Sequence, residues 1–256
     1  MLISDLLTIV FRWLHIVSGI LWIGMLYFFN LAYTPFIAGV QGDARKTIVT
    51  GLIPRTLYWF RWGAAYTWIT GLLLLLLVYY HGGLMFEFDN QNGWGTGAIV
   101  MVAATFLLFA LYDALAKSPL GKNLMAFGAL GFVLICLSIY LMVSWGGFSF
   151  RAYNIHLGAL FGTIMAANVW MRIWPGQKKI LAAVKEGTPP DQALVAMTGG
   201  RSRHNTYLSV PLIWTMINAH TAVPAADSWF YLPAVVLFGW ASVALLYKKA
   251  GTLKGL

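Results

Sequence analysis

The sequence predicts an all-α, polytopic helical membrane bundle of about seven transmembrane helices in a single domain, residues 1–256. Three observations carry that prediction. The chain is 60% hydrophobic and 10% charged, with a mean hydropathy of +0.73. Seven stretches approach the ~20 apolar residues that a helix needs to cross a hydrocarbon core. No segment shows the two-residue alternation of a membrane barrel strand.

The spans follow in order. Leu6–Phe29 is apolar apart from Arg12 and His15, and Leu57–Tyr80 contains the leucine run 72–77. Gly97–Ala116 follows a glycine-rich turn, and Leu124–Trp145 carries no charge. Ala152–Trp174 has its one charge, Arg172, near its end. Tyr207–Val223 is the weakest, because Pro211 interrupts it and its ends are polar; a buried core helix is the alternative there. Trp229–Tyr247 runs into Lys248 and Lys249. The segments between spans read as loops, the longest being Pro175–Thr206, a cytoplasmic loop over about 175–206. Within it Gln177–Lys185 reads as a short surface helix, and the stretch Gly187–Asp191 as a break followed by a helix cap. Lys178, Lys179 and Lys185 are placed to meet anionic headgroups.

Charge orients the bundle. Fifteen of the seventeen Lys and Arg residues fall on the side holding the loops Asn30–Thr56, Lys117–Asn123 and Pro175–Thr206 and the C-terminal tail; only Arg12 and Arg151 fall on the other. The eight acidic residues divide equally between the sides, so the asymmetry follows the positive-inside rule. The N-terminus is therefore expected outside and the C-terminus in the cytoplasm, in a bacterial-type inner membrane. The net charge of +9 follows from the same rule and gives no reason to invoke nucleic acid. The start Met1–Asp5 lacks a basic region and a cleavage site, so it reads as an uncleaved first helix. Cys136 is the sole cysteine, which excludes disulfides, cysteine-held iron–sulfur clusters and covalent c-type haem within the chain.

Intramembrane histidines are the candidate functional groups, because ionisable side chains are costly in lipid. His15, His81, His156 and His220 fall near the outer end of separate spans, and His204 at the opposite end. Arg12, His15, Gly19 and Trp22 share one helical face, with Arg12 one turn outward of the histidine and Gly19 leaving room one turn inward. Arg151 likewise lies outward of His156. The only two basic residues outside thus each accompany a histidine. A b-type haem needs axial nitrogens for iron and cations for its propionates, and these pairs supply both. His15 and His156 are the expected ligands of the haem iron, with His220 and His81 in reserve. Each pair also has a plain reading, as a packing histidine beside a snorkelling arginine. His81 reads equally as an exposed interfacial residue and His220 as a helix-end cap. Arg201, Arg203 and His204 open the sixth span, where lipid phosphate, another anion or a structural cap are the readings. The tryptophans mostly fall at predicted interfaces, as an aromatic belt does. Gly93–Gly97 follows no strand, and no hydrolase triad, paired-carboxylate site or metal-hydrolase motif is present.

Two stretches, IHLGALFGTIMAANVWMRIWPGQKKILAAVKEGTPPD (Ile155–Asp191) and RSRHNTYLSVPLIWTMINAH (Arg201–His220), resemble the N-terminal membrane domain of membrane-bound urate oxidases. The segments RWLHIVSGILWIG (Arg12–Gly24) and YWFRWGAAYTWITG (Tyr58–Gly71) fit the same family in the same order. The resemblance implies oxidation of urate to 5-hydroxyisourate, with electrons passed to a c-type cytochrome, a domain that these 256 residues lack. It also implies His and Glu where this chain has Tyr58 and Gly63. Three functions are therefore expected. One is a membrane redox subunit that binds b-type haem and exchanges electrons with a periplasmic cytochrome c or respiratory complex subunits. The second is a urate oxidase using a separate cytochrome c. The third is a haem-free structural subunit of a respiratory complex.

Overall fold

Buried backbone N–H and C=O groups must find partners, and a chain this apolar satisfies them within helices. The computed structural model describes residues 3–87, 93–218 and 229–253, and every regular element among them is helical. Seven continuous helices follow one another: α1, Ile3–Ala38; α2, Gly42–His81; α3, Thr96–Lys117; α4, Leu124–Ser144; α5, residues 150–186; α6, Gln192–Asn218; and α7, Tyr231–Ala250.

Three of these helices widen locally into π turns, at Phe28–Tyr33 in α1, Leu75–His81 in α2 and Val169–Ile173 in α5. Two of the three have a proline cause. A proline inside a helix has no N–H and crowds the carbonyl four residues back. For Pro35 that carbonyl is Leu31, and for Pro175 it is Met171; both lie inside a π turn. The wider turn relieves the crowding and lets the helix continue. Pro54 and Pro211 are carried inside α2 and α6.

The helices extend well past their apolar parts, which corrects the predicted loops. Asn30–Thr56 is helical on both sides of a short turn at 39–41, and Pro175–Thr206 is helix apart from residues 187–191. Hydropathy marks where a helix can meet lipid; the hydrogen-bond ladder needs no apolar residue and continues until a breaker stops it. Gly187 is that breaker, at φ 76°, and the carboxylate of Asp191 accepts from Ala193 N–H at 2.8 Å to open α6. The predicted surface helix is present as Trp174–Glu186.

Five of the helices are long and apolar enough to cross a membrane: α1, α2, α3, α4 and α7. The stretches predicted as the fifth and sixth spans are helical, in α5 and in α6 as far as Asn218, but their polar residues keep both below that apolarity; residues 219–223 of the sixth lie outside the described residues. Large apolar side chains face outward: Trp13, Ile20, Leu245 and Phe238 are 63%, 70%, 67% and 72% exposed. A surface of this kind suits hydrocarbon better than water.

Two compact units divide the chain. The first comprises Met1–Leu72, Met165–Ser209 and Trp240–Leu256, with Trp22, Leu26, Phe60, Met165 and Val169 fully buried. The second comprises Leu73–Ile164 and Val210–Gly239, with Ile139, Met142, Leu157 and Phe161 at its core. In the second unit Ser149 fastens the start of α5 to the segment after α2, its hydroxyl donating to Leu84 O at 2.8 Å and its N–H to Met85 O at 2.9 Å. Threonine hydroxyls in both units turn back on their own helices, Thr67 to Gly63 O and Thr105 to Met101 O, so these buried hydroxyls are paired.

Candidate functional site

His15 projects from α1 onto α2 in the first unit. Its Nδ1 lies 2.8 Å from the Thr67 carbonyl oxygen and 3.3 Å from Thr70 Oγ1. A carbonyl can only accept, so Nδ1 carries the proton and donates, and Nε2 keeps its lone pair. That Nε2 has no hydrogen-bond partner among the described residues. Gly71 makes the seat: a Cβ there would fall 2.9 Å from His15 Cε1. Gly19, one turn further along α1, has only Thr67 Cγ2 near it, 3.8 Å from where a Cβ would stand. An imidazole fixed through Nδ1 with Nε2 unused is oriented as metal-ligating histidines are. The donor chemistry at His15 therefore fits an axial ligand of a b-type haem.

His156 belongs to the second unit and differs in its outer nitrogen. It is fully buried, and its Nδ1 donates to Ala152 O, four residues back on its own helix, at 2.7 Å. Its Nε2 accepts from the Tyr80 hydroxyl at 2.9 Å. Phe148 closes over the ring at a centroid distance of 4.9 Å, and Tyr79 meets it edge-on at 6.3 Å. Both nitrogens are engaged, so binding iron here requires Tyr80 to give up its hydrogen bond.

His81 ends the π turn of α2 and is exposed. Arg12 and Arg151 are exposed and have no ion-pair partner among the described residues, which leaves both free for an anion. His220 lies outside the described residues. No three His, Cys, Asp or Glu side chains come together as a metal cluster among those described.

The densest polar packing lies elsewhere in the first unit, around α6. One face of α6 carries Arg201 and Asn205, one turn apart, toward α5. Arg201 Nη1 donates to Asn168 Oδ1 at 3.4 Å, Asn168 Nδ2 donates to Asn205 Oδ1 at 2.8 Å, and Asn205 Nδ2 donates to Met165 O at 3.0 Å. All three side chains are buried. Another face meets α1, where Asn30 donates to Ser202 Oγ at 2.8 Å and accepts from Tyr247 OH at 3.0 Å, and Tyr27 pairs with Ser209 at 3.0 Å. The predicted anion group divides accordingly. Arg201 is built into the buried chain, while Arg203 is exposed with its guanidinium 5.1 Å from the Tyr247 ring centroid. His204 precedes the predicted span Tyr207–Val223; burial, then the charges of Arg201 and Arg203, push its pKa down to about 4. It is neutral at pH 7 and adds no charge to the group.

Gly63 allows α1 and α2 to touch backbone to backbone. A Cβ at Gly63 would stand 3.1 Å from Trp22 N and 3.3 Å from both Ser18 O and Trp22 Cα. Tyr58 is exposed and stacks edge-on with Trp59. Asn30, Asn168 and Tyr80 were not singled out by their sequence surroundings. Two of them had a readable signal, since an amide inside an apolar helix must find partners; Tyr80 is indistinguishable in sequence from the interfacial aromatics.

The family model described as urate oxidase N-terminal matches residues 38–250. The match covers Gly63, His156, Asn168 and the Arg201–Asn205 turn, and begins after Arg12 and His15. No curated protein and no solved structure matches the chain.

Proposed function

Because the chain belongs to the urate oxidase N-terminal family, we propose that it is a membrane redox subunit related to urate oxidase. It carries a b-type haem on His15 and exchanges electrons with a periplasmic cytochrome c or with subunits of a respiratory complex. The observation that carries this reading is the fixed His15 ring, with Nδ1 committed to the Thr67 carbonyl and Nε2 uncommitted. Bound haem supplies reversible one-electron transfer. The chain's own residues then act around it: Thr67, Thr70 and Gly71 hold the imidazole plane, and exposed Arg12 is available to a propionate.

The membrane orientation belongs to the same reading. Fifteen of seventeen basic residues on one side put the N-terminus outside a bacterial-type inner membrane and the C-terminus in the cytoplasm. Reporter fusions after Lys249 are expected to be active as cytoplasmic markers, and fusions at Gly83 as periplasmic markers. The opposite pattern overturns the orientation and moves His15 to the cytoplasmic face.

A reduced-minus-oxidised spectrum of the purified full chain tests the haem. A b-type spectrum is expected, lost or converted in His15→Ala and retained in His204→Ala. Pigment-free protein purified with its partners favours the structural reading instead. Family membership also supports urate oxidation to 5-hydroxyisourate as a second reading. Anaerobic reduction of the haem by urate, and Arg203-dependent loss of urate absorbance with cytochrome c supplied, would make that reading primary. Neither is expected, because Tyr58 and Gly63 stand where the family resemblance implies His and Glu.

A further inference from the structure

Arg61, on α2 in the first unit, has a cation's surroundings without an anion. Its guanidinium carbon stands 3.9 Å from the centroid of the Trp174 ring, with Tyr58, Trp62 and Trp170 at 5.6, 5.8 and 5.9 Å. The arrangement is pinned through the backbone, because Trp170 Nε1 donates to the Arg61 carbonyl at 3.1 Å. Lys178, one turn beyond Trp174 on α5, places its Nζ 5.5 Å from the same indole. Two cations thus share one ring.

Aromatic faces attract cations but offer no lone pair to their N–H groups. A guanidinium presents five N–H donors. Among the described residues Arg61 and Lys178 have neither a carboxylate partner nor a hydrogen-bond acceptor for their side chains, and Arg61 Nε is buried without one. Two like charges brought together with unused donors define a place where an oxyanion is stabilised twice, by charge and by directed hydrogen bonds. The position also selects the kind of anion. α5 changes at this point from an apolar helix to the basic segment Trp174–Glu186, which carries Lys178, Lys179 and Lys185, and the ring cluster is tryptophan-rich as membrane–water interfaces are.

We infer that Arg61, Lys178 and Trp174 form a binding site for a phosphate oxyanion, of the kind an anionic phospholipid headgroup presents. The Arg61 fork takes two phosphate oxygens, the Lys178 ammonium takes a third as a point charge, and the Trp174 ring holds both cations in place. The site is independent of His15 and of any haem.

The full chain, purified in a neutral detergent, is titrated with dioctanoyl phosphatidylglycerol, dioctanoyl phosphatidylcholine or inorganic phosphate. Tryptophan fluorescence and native mass spectrometry report binding. Saturable binding of phosphatidylglycerol is expected, about fivefold weaker in each of Arg61→Gln and Lys178→Gln and unchanged in Lys122→Gln, at an exposed lysine outside this cluster. Lys178 is exposed, so its replacement leaves folding intact. Binding of phosphatidylglycerol without inorganic phosphate supports the site with lipid as its source. Equal, Arg61-dependent binding of inorganic phosphate supports it with a free anion as its source. Wild-type affinity in both variants overturns the site, as does phosphatidylcholine binding as tightly as phosphatidylglycerol or an absence of saturable binding.

Discussion

Replacing Gly63 with glutamate is expected to abolish accumulation of folded protein. At this residue α1 and α2 approach so closely that even a methyl group would stand 3.1 Å from Trp22 N and 3.3 Å from Ser18 O. Those atoms are backbone, so they cannot swing aside as a side-chain tip can. A glutamate adds a carboxylate in a region where Trp22 and Phe60 are 2% and 1% exposed, and an unpaired buried charge is strongly unfavourable. The alanine variant is the graded case, because the helices need part by only a few tenths of an ångström; overpacking of this kind costs about 1–3 kcal/mol. Thermal unfolding in detergent and the monodisperse fraction on size-exclusion chromatography measure both. A Gly63→Glu protein that folds at the wild-type level and gains urate turnover would mean that the backbone contact is absent in solution. It would also restore the urate oxidase reading.

Asn168→Leu is expected to cost about 3 kcal/mol of stability, because it leaves buried hydrogen-bonding groups without their partner. Asn168 both accepts from Arg201 and donates to Asn205, and the three side chains are 2%, 3% and 0% exposed in that order. A leucine fills the volume, but it removes an acceptor from a buried guanidinium and a donor from a buried amide oxygen. A double-mutant cycle with Asn205→Leu separates this from simple packing. Once Asn168 is gone, the second replacement is expected to cost less than it does alone. Strict additivity of the two would show that the chain of hydrogen bonds does not act as a unit.

Composition determined the helical class by itself, because hydropathy and helix-forming apolar runs are local. The seven apolar stretches correspond to seven continuous helices among the described residues, five of them apolar enough to cross a membrane. Helix ends were not legible in the same way. Hydropathy says nothing about hydrogen-bond ladders that continue past Asn30 or Pro175 into polar sequence, and the π turns before Pro35 and Pro175 that allow it are a backbone response. Rarity in an apolar helix was enough to single out His15 and His156. Their difference was decided only by the fold: the carbonyl that fixes His15 comes from a neighbouring helix 52 residues away, and Tyr80 reaches His156 Nε2 from 76 residues away. Arg61 was readable in sequence only as one of fifteen charges that orient the chain. Its aromatic enclosure arises because α5 returns to α2, bringing Trp170 to the Arg61 carbonyl across 109 residues of sequence. Charge and apolarity are properties of single residues and survive in a string of letters; a lone pair left unused, or a guanidinium left without an acceptor, is a property of neighbours that only tertiary packing supplies.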